Sequence, residues 1–282
     1  MTDESPRVYR TRTEPVVRVT GLSYRYPTGR DALREVSFSI APGERLGLVG
    51  PNGAGKTTLL HHLNGLLPGD AYRRETTSPV ELLGMPVIPA NFGEVRRFVG
   101  LVFQNPDDQL FCATLGEDVA FGPRQLGLSA VEVERRVLAS LEAVGLGGKE
   151  RSHPFQLSVG ERRRGCLAGV LACDPSLLVL DEPSSNLDPR SRRQLIECLA
   201  GLTAAELIAT HDLELVLDLC DRVLLLDEGR IRADGAPLEV LSDTRLMEAH
   251  GLEVPLSIQY GARREAEAPR PFQPRVTGTE GG

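Results

Sequence analysis

The sequence predicts an α/β fold with a mixed central sheet, an antiparallel β edge near its start and a helical subdomain inserted in its middle. Three observations carry that reading. Apolar runs at 46–49, 99–103, 177–180 and 207–210 each end in glycine-rich or polar residues, as buried strands do when they deliver loops to one sheet edge. Two stretches that alternate in polarity, Val16-Val-Arg-Val19 and Val36-Ser-Phe-Ser-Ile40, come first and read as half-buried antiparallel strands. Between the second and third apolar runs helical spacing takes over (Val131, Val133, Val137, Leu138, Leu141, Val144), giving an insertion of about 107–172.

Composition bounds the function before any motif does. With 282 residues, 41% of them hydrophobic, there is material for one large or two smaller domains with a real core. A formal charge of −7 argues against a generic nucleic-acid or anionic-membrane binder, so nucleic acid is not an expected partner. No apolar run approaches the roughly 18 residues of a spanning helix. Asp3, Glu4, Arg7 and Arg10 interrupt any signal-peptide core, so the chain is expected in the cytoplasm. The five cysteines lack C-x-x-C spacing and read as buried small hydrophobes, not as a disulfide or zinc framework.

Residues 1–15 are polar and read as a loose leader, with the folded domain expected over 16–255. The early strands carry Tyr24 and Tyr26 up to the turn at Pro27-Thr-Gly29. An aromatic face there could stack on a base, or be a half-buried strand tyrosine. The apolar run Leu46 to Val49 then feeds Gly50-Pro51-Asn52-Gly53-Ala54-Gly55-Lys56-Thr57-Thr58, a full match to G-x-x-x-x-G-K-[ST]. Its glycines allow a tight turn whose amide groups, with the N-terminus of the helix starting near Lys56, can face a polyphosphate. Lys56 supplies charge for β- and γ-phosphates and Thr57 a hydroxyl for Mg²⁺. His61 and His62 are adjacent on that helix and point to different faces, so no metal site is expected of them.

From Pro68 to Arg97 the chain reads as a hairpin, Pro79 to Gly84 and Pro86-Val-Ile, with little chemistry. The strand Val99 to Phe103 ends in Gln104, and Asn105-Pro-Asp-Asp108 breaks it. Ser158-Val-Gly-Glu161 has the form of a capping box opening a helix to about Cys173, in which Arg162, Arg163 and Arg164 read as a solvated basic face. The apolar strand Leu177 to Leu180 delivers Asp181 and Glu182 at its C-terminal end, where an α/β sheet presents a Mg²⁺-linked carboxylate and a water-activating base. Asp188-Pro189 starts the next helix as N-cap and first residue. Leu207 to Thr210 ends in His211, on the same sheet edge as Lys56 and Asp181, with Asp212 as the following N-cap. Val223 to Ala233 forms a terminal hairpin, and from about Gly261 the Pro, Gly, Arg and Glu content predicts disorder within a tail of 256–282.

In this order the motifs resemble the ATP-binding subunits of ABC transporters over roughly 16–255, which implies the P-loop ABC ATPase fold. In that resemblance Tyr26 is the adenine-stacking aromatic, Gly50 to Thr58 the Walker A loop and Gln104 the Q-loop glutamine. Leu157-Ser-Val-Gly-Glu161 is the signature, Leu177 to Pro183 Walker B, Ser185-Asn-Leu-Asp188 the D-loop and His211 the switch histidine. The resemblance implies ATP and Mg²⁺, with the ion on Thr57 and Gln104 and Asp181 behind it. Glu182 would orient the attacking water, His211 contact the γ-phosphate, and Ser158 and Gly160 complete the site of a second ATPase subunit, identical or not. Where the family has glycine this chain has Val159, which the capping box makes the first helical residue.

Tyr24-Arg-Tyr-Pro27, Gln104-Asn-Pro-Asp-Asp-Gln-Leu-Phe111 and Glu117-Asp-Val-Ala-Phe-Gly-Pro123 are similar to the ATPases of energy-coupling-factor importers, the cobalt and nickel branch above all. That implies a pair of ATPases at the cytoplasmic face of the membrane, docked on a transmembrane coupling protein beside a separate substrate-binding membrane component for cobalt, nickel or a vitamin. Another ABC importer or exporter, or a weakly hydrolysing nucleotide-gated partner subunit, remains the alternative.

Overall fold

The computed structural model describes residues 14–67 and 77–266; the leader before Glu14, residues 68–76 and the end of the tail lie outside the described residues, and the readings made for them with it. Three strands open the chain, β1 (Val17–Arg25), β2 (Asp31–Ile40) and β3 (Arg45–Val49), before helix α1 (Lys56–Leu63). There follow β4 (Val80–Leu82), β5 (Met85–Pro86), α2 (Phe92–Phe98) and β6 (Val99–Val102), then the helices α3 (Leu115–Gln125), α4 (Ala130–Ala143) and α5 (Val159–Leu171). The second half runs β7 (Leu177–Asp181), α6 (Pro189–Ala200), β8 (Ala205–Ala209), α7 (Leu213–Leu219), β9 (Arg222–Asp227), β10 (Arg230–Gly235), α8 (Pro237–Ser242), α9 (Thr244–Ala249) and α10 (Leu256–Ala266).

Two sheets result. One is antiparallel with order β2-β1-β4-β5, so the hairpin read at 79–88 joins the two early strands as the expected edge. The other has order β10-β9-β3-β8-β7-β6 and is parallel except for β10. Alternation along β7 shows why its sequence is uniformly apolar: Leu177 and Val179 face a core shared with β1, β2 and α1, while Leu178 and Leu180 face one shared with α3, α4 and α5. A third cluster, Val49, Val216, Val223, Leu225, Val240, Leu241 and Met247, seats the C-terminal helices.

The sequence reading needs correction in four places. Helix α2 stands where the sequence predicts part of a hairpin region; seven residues with one fully buried side chain, Val95, are too short a stretch for periodicity to register. The chain does not end its order at Gly261, because α10 continues to Ala266. A glycine costs about 1 kcal/mol in a helix interior, and the Ala-Arg-Arg-Glu-Ala that follows favours helix at every position. The cysteines are only partly core residues: Cys166 is buried, but Cys112, Cys173, Cys198 and Cys220 are half-buried. The basic run on α5 is not a solvated face, since Arg163 and Arg164 are 2% and 7% exposed. Spacing explains this, for Gly160, Arg163, Arg164, Leu167 and Val170 fall on the buried side of the helix at three- and four-residue steps.

Candidate functional site

The parallel register brings the ends of β3, β7 and β8 to one edge of the sheet, because Leu48 pairs with Ala209 and Asp181 pairs with Ala209 on its other side. What each strand delivers there is the site: the glycine-rich loop from β3, Asp181 and Glu182 from β7, Thr210 and His211 from β8. Gly55 caps α1 with φ 113°, and a Cβ on it would lie 2.5 Å from the Ala32 carbonyl oxygen, so only glycine lets the loop turn into the helix there.

The loop lysine is held in place by its own loop. Lys56 Nζ donates to the carbonyl oxygens of Gly50 (2.8 Å) and Pro51 (3.2 Å), and burial pushes its pKa down while Glu182 and Asp181 pull it back up. Thr57 Oγ1 donates to Asp181 Oδ2 at 2.9 Å. Burial raises the Asp181 pKa, opposed by the Thr57 hydrogen bond and by Lys56. A buried carboxylate raised in this way gains from a nearby cation, and the donors present, a hydroxyl and a carboxylate, are the hard oxygens Mg²⁺ takes. Among the described residues no group of three His, Cys, Asp or Glu side chains could hold a metal ion. The Thr57 and Asp181 pair fits Mg²⁺ shared with phosphate oxygens.

Glu182 follows the strand with φ 49°, a left-handed backbone unusual for a side-chain-bearing residue, and its amide donates to the Ala209 carbonyl at 2.8 Å. Among the described residues its Oε2 takes every hydrogen bond and ion pair of the carboxylate: the Thr210 hydroxyl at 3.3 Å, the His211 amide at 3.2 Å, the Ser185 hydroxyl at 3.4 Å and His211 Nδ1 at 2.7 Å. The His211 side chain is 66% exposed, so its ring sits at the open side of the group.

The remaining predicted residues lie around this centre. The Tyr26 hydroxyl is 2.9 Å from Thr58 Oγ1 and its ring stands edge-on to Tyr24, which in turn meets His62 edge-on. Tyr26 is half-buried at the loop, which accommodates both readings of it. His62 Nδ1 lies 2.8 Å from the Thr58 carbonyl of its own helix. Gln104 is exposed just past β6, and its backbone carbonyl accepts from Arg163. Ser158 caps α5 as predicted: its hydroxyl accepts from Glu161 N at 3.3 Å and its amide donates to Glu161 Oε2 at 2.9 Å. Val159 is the first residue of α5, 41% exposed. Gly160 packs against α6, where a Cβ would lie 2.4 Å from Ser191 Oγ. None of the hydrogen bonds of Ser158 reaches the glycine-rich loop.

Sequence reasoning missed two residues. Arg163 Nη1 donates to the carbonyls of Phe103 (3.0 Å) and Gln104 (2.5 Å) and Nη2 to that of Ser185 (3.4 Å), joining the end of β6, the start of α5 and the turn after Glu182. The spacing that puts it on the buried side of α5 was legible in the sequence. Thr210 is fully buried and bonded to Glu182; a hydroxyl residue closing an apolar strand, as Asp181 does, was the available signal.

Comparison with known proteins agrees with this geometry. Residues 33–185 match the family described as ABC transporter. A putative ABC transporter ATP-binding protein of Streptomyces avermitilis is 51% identical over 241 residues, covering 86% of this chain and 90% of that one. An energy-coupling factor transporter ATP-binding protein, EcfA, of Methanothermobacter thermautotrophicus is 43% identical over 85% of this chain and 77% of its own length. Among solved structures, cbiO1 from Clostridium perfringens, described as part of the ABC transporter complex cbiONQ, superposes with a TM-score of 0.74 at 31% identity over 89% of this chain and 99% of that one. With the phosphate loop, the paired acids and the capped helix in their places on this fold, the chain belongs to the ATP-binding subunits of ABC transporters.

Proposed function

We propose that this ABC ATPase is the energy-coupling subunit of an energy-coupling-factor type importer, working in pairs at the cytoplasmic face of a membrane. The observation that carries the chemistry is the convergence of Lys56, Thr57, Asp181, Glu182 and His211 on one sheet edge. The likeness to relatives named energy-coupling factor transporter ATP-binding proteins and to a part of a cbiONQ complex supports the importer type. The cargo would be cobalt or nickel ions or a vitamin, bound by a separate membrane component.

In this reading ATP hydrolysis is phosphoryl transfer to water, in which the protein supplies position and charge. The phosphates take over from the Gly50 and Pro51 carbonyls as partners of Lys56, and amides of the glycine-rich loop and of the start of α1 would bind them. Thr57 and Asp181 would hold Mg²⁺, which supplies charge neutralisation on the phosphate oxygens. Tyr26 lies where a base could stack, and Thr58 beside it. Glu182 orients and deprotonates the attacking water, and His211, exposed beside it, reaches the γ-phosphate. Gln104, past the end of β6, would be the further ligand of the Mg²⁺ ion. Ser158 and Gly160, on α5, serve the site of the second subunit.

Docking on the transmembrane coupling protein is assigned to the face between β6 and the helical insertion. Phe111, 66% exposed, and Phe121, 45% exposed, form an edge-to-face pair with centroids 5.2 Å apart. They border a cavity of about 230 Å³ lined also by Leu101, Leu110 and Cys173. Asp107 and Asp108 are both exposed beside it, and Asp107 Oδ1 also lies 3.2 Å from Arg162 Nε on α5.

Glu182→Gln tests the chemistry. It should bind ATP with unchanged affinity and hydrolyse it at least about a hundredfold more slowly, since a positioned general base contributes about 10²–10⁴. Turnover within about threefold of the unmutated protein would remove Glu182 from the role.

A further inference from the structure

Thr210 takes no part in the reaction as described, yet its surroundings are more constrained than packing requires. Its side chain is fully buried, and its amide donates to the Leu48 carbonyl at 3.1 Å, tying it to β3. Its hydroxyl oxygen accepts from the Asp212 amide at 3.0 Å and lies 3.3 Å from Glu182 Oε2. An ionised carboxylate only accepts, so with one lone pair occupied by Asp212 the hydroxyl proton has one use: it donates to Glu182. Asp212 is itself gripped by the Arg192 guanidinium through two bonds, Nε to Oδ2 at 2.7 Å and Nη2 to Oδ1 at 3.1 Å. The hydroxyl is thereby oriented from the far side by α6 and α7.

Among the described residues every hydrogen bond to the Glu182 carboxylate falls on Oε2, and Oε1 receives none. We propose that Thr210 is a positioning residue for Glu182, clamping Oε2 so that Oε1 is the oxygen presented to the attacking water. This rests on the reading of Glu182 as the general base. In the step it serves, a water proton passes to Oε1 as the water oxygen bonds to the γ-phosphorus. The bond from that phosphorus to the β–γ bridging oxygen breaks, and its electron pair leaves on ADP. A carboxylate free to rotate would present either oxygen, or neither, at the distance proton transfer needs. The left-handed backbone at Glu182 aims the side chain at β8, and the Thr210 hydroxyl fixes where it stops.

The experiment compares Thr210→Val, which keeps the shape and removes the hydroxyl, with Thr210→Ser, which keeps the hydroxyl. It measures kcat and KM for ATP, ATP affinity and Tm of the full chain. Thr210→Val should lower kcat about tenfold, the loss of one hydrogen bond to a charged group, with KM and ATP affinity within about twofold. Thr210→Ser should keep kcat within about threefold. In a Glu182→Gln background Thr210→Val should change the residual rate no further. A merely structural threonine would lower Tm and leave kcat alone, or lower kcat equally in both variants; either result overturns the proposal. If Thr210→Val does not fold, Thr210→Ala set against Thr210→Ser makes the same comparison. Should Glu182→Gln itself keep full turnover, the general-base reading fails, and the proposal falls for that separate reason.

Discussion

Replacing Arg163 by methionine should loosen the centre of the molecule measurably. Its guanidinium makes two short bonds, to the Gln104 and Phe103 carbonyls, and a marginal one of 3.4 Å to Ser185, while its Nε has no hydrogen-bond partner among the described residues. A bond from a charged donor contributes about 1.5–3 kcal/mol net, so the two good ones amount to roughly 3–6 kcal/mol. Against that stands the burial of the charge, which pushes the pKa of the group down and which methionine would relieve, filling most of the volume. The balance is a loss of about 2–4 kcal/mol. In a chain of this size about 1 kcal/mol moves Tm by roughly 2–4 °C, giving a fall of about 5–15 °C. Calorimetric unfolding of Arg163→Met and Arg163→Lys is the assay, with ATP turnover alongside. Lysine should recover little, because one ammonium cannot span three carbonyls held by a planar fork. A methionine variant melting within about 2 °C of the unmutated protein would refute the claim that these bonds hold the three segments together.

Glu206 titrates in the opposite sense from most acids. It is fully buried on β8, its carboxylate 3.6 Å from Arg45 Nε, and burial raises its pKa to about 7 despite that arginine. The folded state then holds a proton that the unfolded chain has released, so the contribution is full below about pH 4.5 and is lost as pH rises through 7. Glu206→Gln should therefore melt higher than the unmutated protein at pH 8–9, with the gap closing toward pH 5; a pH-independent difference would contradict this. Val159→Gly should raise ATPase activity by less than about tenfold, because Val159 occupies an ordinary first helical position and crowds only the closed pair. An inert unmutated protein with a fully active glycine variant would overturn that and mark the chain as a degenerate partner. Asp108→Lys combined with Phe111→Ala should weaken recovery of a membrane coupling protein in pull-down while sparing ATP binding. Equal recovery would move the docking face elsewhere.

The parts of the fold most legible in sequence were those where one physical demand dominates. Doubly buried strands such as Leu177 to Asp181 must be apolar throughout, and the capping box at Ser158 to Glu161 spells its own hydrogen bonds. Helix α2 and the C-terminal helices were not, since short elements show no period and draw their stability from what they pack against. In the site, Lys56, Thr57, Asp181, Glu182 and His211 were identifiable because strand ends place them, and the register confirms that they share an edge. Arg163 and Thr210 escaped because charge and polarity normally mark surface, and only tertiary contacts reveal the inside partners of the Arg163 Nη atoms and of the Thr210 hydroxyl.

The positive φ of Glu182 sets a limit on how this chain can evolve. A side-chain-bearing residue held in the left-handed region gives up about 1–3 kcal/mol that glycine would not. Glycine at this position would relax the backbone and erase the carboxylate, so selection for tighter folding and selection for turnover pull this codon in opposite directions. Stabilising drift has to be found elsewhere in the molecule, and an orphaned copy of the gene, released from hydrolysis, would be free to lose the acid here first.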